Sequence, residues 1–173
     1  MRIEKLSDIK KELRSLNNEA LVEICLRLAK YKKDNKELLS YLLYNADAPL
    51  NYAEDVKAAL LVNFQNLNRS AYTSTKELRK IVRLFTKHTK YTASKEVEIE
   101  LLIWFCTMFL EYADTRSSHK PLLTIFNRQM EKARRLISKL HEDLQFDYSE
   151  IYNQLVAEAD NNVRYFNKND FKL

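Results

Sequence analysis

Residues 101–110 read LLIWFCTMFL, with Thr107 the one polar side chain among them. A helix that crosses a membrane needs about 20 apolar residues, so this run is too short to span one. Glu96, Glu98 and Glu100 stand directly before it. The segment therefore reads as a helix buried in a protein core, capped by Ser94 and ending near Tyr112. A chain of 173 residues with 46% hydrophobic content can supply that core, and one domain over residues 1–173 is expected.

Outward from this helix, the absence of glycine is the most informative feature of the composition. Ordinary usage would give about 12 glycines at this length. Phosphate-cradling loops, nucleophile elbows, dinucleotide fingerprints and EF-hand loops all use glycine where the backbone takes a positive φ or approaches a ligand closely. Chemistry built on those loops is not expected. No segment has the alternation and β-branched content of a strand.

The remaining periodic segments read as helices. A short one starts at Ser7 and runs to Leu16, a second follows Asn17 or Asn18 to Lys33, and a third is capped by Asn35 and runs to Ala46. A fourth covers Asn51 to Asn68, and a fifth leaves the Ser70–Ser74 stretch and runs to Lys90. After the helix at 95–112, Thr115–Lys120 reads as a loop and Pro121 as a first helical residue. The seventh helix then reaches Gln145, and a last one covers Tyr148 to Tyr165 before a frayed tail. The helix at 18–33 is apolar on most sides, which predicts burial on most sides. It and the helix at 95–112 are expected to be the most buried. With no glycine available, helix ends are expected to use asparagine for the left-handed conformation.

These elements predict an all-α, single-domain bundle of seven or eight mostly antiparallel helices. The alternative is a short HEAT-like array of helical hairpins starting at Asn35, Ser74 and Lys120, a spacing of about 40 to 45 residues. The segments share no residue pattern, which favours the bundle.

Three segments carry a resemblance: EICLRLAKYKKDNKELLSYLL at residues 23–43, SKEVEIELLIWFC at 94–106 and KLHEDLQFDY at 139–148. They resemble a family of short, uncharacterised all-helical bacterial proteins with no assigned activity. The resemblance implies a bacterial, cytoplasmic setting and no mechanism. Met1–Lys5 lacks the apolar region of a secretory signal, which also leads to a cytoplasmic expectation with Cys25 and Cys106 as free thiols on apolar faces.

The net charge of +5 is unevenly distributed. Residues 69–95 hold eight Lys/Arg against one acid, and residues 120–141 hold six against one. Residues 96–119 and 142–163 are acidic, so the sign alternates from helix to helix. On the fifth helix, Lys76, Arg79, Lys80, Arg83, Lys87 and Lys90 fall within a stripe about 100° wide, opposite Leu78, Ile81, Val82 and Phe85. On the seventh, Arg128, Lys132, Arg135 and Lys139 form a second stripe opposite the apolar face. Both stripes are also consistent with ordinary solvated faces.

The leading functional expectation is a non-enzymatic helical module that binds a protein partner through a groove between helices. The alternative is nucleic-acid binding through the two basic stripes, which requires that they share one surface. An acidic sixth helix between them would split the patch. No catalytic, cofactor or metal site is expected. His88, His119 and His141 lack the spacing of di-iron or H-E-x-x-H sites. Glu96, Glu100 and Glu111 read as the wet edge of a central helix, and no aromatic row interleaves with the basic stripes as a single-strand platform needs. Oligomeric state is not legible.

Overall fold

The structure, a computed structural model, describes residues 3–173. Met1 and Arg2, the start of the segment read for a targeting signal, lie outside it. Eight α-helices follow one another: α1 (Leu6–Ser15), α2 (Asn18–Tyr31), α3 (Lys33–Tyr44), α4 (Pro49–Gln65), α5 (Ala71–Thr92), α6 (Lys95–Tyr112), α7 (Lys120–Ile137) and α8 (Glu142–Asn162). A 3₁₀ turn at Lys168–Phe171 closes the chain, and no strand occurs among the described residues. The tail read as frayed is thus ordered: Phe171 is buried and its ring stacks on Phe166 at 4.7 Å.

Local chemistry explains four of the eight helix starts, those of α2, α4, α6 and α7. Asn17 caps α2 by accepting from the Ala20 N–H at 2.8 Å, and Ser94 caps α6 by accepting from the Val97 N–H at 3.3 Å. Pro49 and Pro121 each stand in the first turn of a helix, where an amide N–H has no partner to lose. Asn35 is not a cap. It lies inside α3 and donates to the Leu28 carbonyl at 2.9 Å, which closes the tight turn from α2. The long seventh helix expected to Gln145 stops at Ile137, and α8 starts at Glu142.

The chain divides into two compact units, one ending at Asp47 and the other covering Ala48–Leu173. In the first, α2 packs on α3. The expected deep burial of α2 is wrong: none of its side chains is buried, and Val22, Leu26 and Leu28 are half exposed or more. Its apolar residues surround the helix, but α3 is its one extensive helical neighbour within the unit, and one neighbour covers one face. Cys25 is accordingly exposed.

In the second unit α6 is the hub, packing on α4, α5, α7 and α8. Val97, Ile99, Leu101, Leu102, Phe105, Cys106 and Phe109 are buried along it, as its sequence predicts. Phe64 of α4 meets Trp104 and Phe105 edge-on at 5.4 and 5.5 Å, and Phe109 meets Phe126 of α7 at 4.8 Å. The helices packed around α6 form a bundle in which each extensive helix–helix contact is between consecutive or next-but-one helices, the pairings that stacked hairpins would also make. Cross-links give the directions. Asn68 and Glu77 meet at one end of the α4–α5 pair, and Tyr52 and His88 at the other. Lys132 late in α7 pairs with Glu98 early in α6, and Tyr148 early in α8 bonds Glu100 early in α6. Lys57 and Phe64 of α4 meet Glu100 and Tyr112 of α6 in the same order, so those two helices are parallel; consecutive helices from α4 to α8 therefore alternate in direction, and α5 and α7 run parallel.

Candidate functional site

α5 and α7 are in direct contact, with α6 packed against both. The acidic helix is therefore not interposed between them. At one end the rings of Tyr72 and His119 approach edge-on at 6.3 Å. Below them a groove of about 850 Å³ is walled by Lys76, Arg79, Val82 and Arg83 of α5 and by Lys120, Thr124 and Arg128 of α7. It continues into a second lobe of about 760 Å³ that shares Val82, Thr124, Arg128 and Gln129 with the first.

The two lobes differ in charge balance. In the first, Lys76, Arg79, Arg83, Lys120 and Arg128 have no carboxylate partner among the described residues. The Lys76 ammonium instead lies 4.3 Å from the centre of the Tyr72 ring. In the second, Glu131 and Asp170 join the lining. Glu131 binds Arg134 at 2.9 Å and Arg135 at 3.6 Å, and the Arg134 guanidinium holds its carboxyl below the usual range. Lys132 is paired with Glu98. The groove thus runs from an uncompensated cationic end to a neutralised one. Between them Gln129 is buried, its amide donating to the Ile125 carbonyl at 3.5 Å, and the side-chain oxygen of Asn127 is buried with no hydrogen-bond partner.

Of the ten candidate contacts, Lys76, Arg79, Arg83, Arg128, Lys132 and Arg135 line the groove. Lys80, Lys87, Lys90 and Lys139 do not. The flank of α5 marked by Arg79, Val82 and Thr86 faces the groove, and Lys80 and Lys87 lie at the opposite edge of the basic stripe. Lys90 belongs to the last turn of α5, and Lys139 lies past the end of α7. Lys120 was missed. Its signal was its place beside Pro121 at the start of the seventh helix, two turns before Arg128.

The other candidates are dispersed. His88 is hydrogen-bonded to the Tyr52 hydroxyl at 2.7 Å, and His141 lies 3.5 Å from Asp143 at the start of α8. Among the described residues no three His, Cys, Asp or Glu side chains converge as metal ligands would. Glu96 and Glu100 form a polar tie instead of a free edge. Lys57 of α4 donates to Glu100 at 2.8 Å and to Glu54 at 2.7 Å, and the Tyr148 hydroxyl donates to Glu100 at 2.9 Å and to Glu96 at 3.4 Å. Partial burial pulls the Lys57 pKa down, but the two carboxylates outweigh it and the net shift is upward.

No family model matches the chain, and no curated protein or solved structure is detectably similar to it. No helix among the described residues is long and apolar enough to cross a membrane.

Proposed function

We propose that the chain binds nucleic acid along the groove between α5 and α7. What supports this reading is the set of five cations, Lys76, Arg79, Arg83, Lys120 and Arg128, on two facing walls with no carboxylate between them. Like charges gathered at one place cost energy unless a counter-ion or an anionic ligand neutralises them. A phosphodiester backbone is a regular row of such anions, and binding it releases condensed counterions. Affinity then falls steeply with salt.

The test is fluorescence anisotropy with labelled DNA and RNA oligomers at about 50 mM salt. Binding at or below about 10 μM is expected, because non-specific binders reach micromolar affinity even at physiological salt. Arg83→Glu with Arg128→Glu weakens binding at least about tenfold and flattens the log–log salt slope by roughly 1.5. Absence of binding under these conditions removes the proposal.

A second reading, the protein-interaction module, is favoured by the unit ending at Asp47. Leu6, Ile9, Leu13 and Leu16 form an exposed apolar stripe along and just beyond α1. Cys25, Leu28, Leu38, Leu39 and Leu42 line an apolar groove of about 310 Å³ between α2 and α3. Such a surface matches an amphipathic partner helix. It would enhance the fluorescence of a hydrophobic dye in the native protein, and Leu28→Lys with Leu42→Lys would remove the part of that signal that the α2–α3 groove supplies. A native protein that leaves the dye dark rules this reading out.

A further inference from the structure

We propose that the cationic end of the α5–α7 groove is a single-strand site: one phosphodiester backbone runs between the two helices, and the unpaired base at its upper end stacks on Tyr72. The inference rests on the nucleic-acid reading above and names the form of nucleic acid. Three observations carry it.

The first is where the cations stand. Lys76, Arg79 and Arg83 rise from one wall, and Lys120 and Arg128 from the other. Two packed helices leave a furrow along their line of contact, and here cations flank it on both sides, so one strand laid along it is contacted from both walls. A duplex is read the other way round, by a helix that enters its major groove of about 12 Å. α5 and α7 do not stand proud of the bundle in that way; each is packed on the other and on α6.

The second is the aromatic end. Tyr72 belongs to the first turn of α5 and remains 62% exposed although the Lys76 ammonium and the His119 ring both contact it. No aromatic row interleaves with the cations, so the site offers one stacking position and not a platform for successive bases: Tyr72 for a base at the end, and the cations for the backbone. When a strand enters, Lys76 has a phosphate to move to, which frees more of the ring.

The third is the floor. The buried Gln129 amide lies between the walls, and a lining of Val82 and Ile125 beside it gives the sugar–base side of a strand an apolar surface.

The experiment uses the full chain and four labelled or competing probes: a 12-mer of deoxythymidine, a 12-mer of uridine, a 12-base-pair blunt duplex, and inorganic polyphosphate of comparable charge. The single strands are expected to bind at least tenfold more tightly than the duplex and than polyphosphate. Five phosphate contacts give a single-strand salt slope of about −3.5. The deoxythymidine and uridine arms report which sugar is preferred. Tyr72→Ala is expected to weaken single-strand binding about 5- to 100-fold, while Tyr72→Phe stays within about twofold and duplex binding is unchanged. Circular dichroism and thermal midpoints verify that both variants fold. Equal or tighter duplex binding overturns the single-strand site, as does a neutral Tyr72→Ala, and either result leaves the nucleic-acid reading standing. Polyphosphate binding as tight as the single strands overturns the base contact. Failure of every nucleic-acid probe to bind defeats the parent reading instead.

Discussion

Ala93 occupies the left-handed region at φ 49°, ψ 19°, closing α5 where most proteins would place glycine. Tyr165, two residues past the Val163 cap of α8, also has a positive φ, 62°. In a chain without glycine, asparagine is the residue expected in this conformation. Yet Asn45 and Asn66 end α3 and α4 at negative φ, each with its backbone N–H returned to the preceding turn. An alanine in this region costs about 1–2 kcal/mol, and replacing it with glycine returns about 0.4–1 kcal/mol of unfolded-state entropy as a penalty. Ala93→Gly is therefore expected to raise stability by about 0.5–1 kcal/mol, read as a higher urea midpoint at unchanged m-value. A lower midpoint would mean that the Ala93 methyl makes packing contacts that outweigh its backbone cost.

α6 shows what an element can and cannot reveal. Its burial was legible because a short, nearly unbroken apolar run has nowhere to go but a core. The partners of its acids were not legible, because Lys57 and Tyr148 lie more than forty residues away on either side. Burial, then Glu100 and Glu96, push the Tyr148 phenol well above its usual range, and burial does the same for Tyr152. Lys57 is also raised. Above about pH 10 the unfolded chain releases phenolic protons that the folded chain retains. The stability these groups contribute is thus complete below that pH and is lost as pH rises through the folded values. The thermal midpoint should be flat from about pH 7 to 9 and fall above about 10. Tyr148→Phe should cost about 1.5 kcal/mol at pH 8, the low end for a hydrogen bond to a charged group, and should soften the alkaline fall. A variant with an unaltered alkaline limb would show that the phenol does not govern it.

At the scale of the whole molecule, burial is concentrated in the unit from Ala48 onward, and the two cysteines sample the contrast. Cys25 is exposed on α2, whereas Cys106 is fully buried on α6 and burial raises its thiol pKa. A disulfide reagent should titrate one thiol at once in the native protein and reach the second only at the rate of global unfolding. Two fast thiols would contradict the placement of α6 at the centre.

The amino-acid sequence alone determined the helical class, the central helix at 95–112 and the two basic stripes. All three follow from local properties: the absence of glycine, the length of an apolar run, and a periodicity of 3.6 residues. It did not determine which flank of each stripe would face a neighbour, that Lys120 would complete the cationic end, or that α2 would remain largely uncovered. Those depend on which helices pack together, and packing is decided by contacts between residues far apart in the chain. Tertiary structure brought one flank of each stripe, Lys76, Arg79 and Arg83 with Arg128, Lys132 and Arg135, to one groove, because α5 and α7 are in direct contact with α6 packed against the pair and not between them.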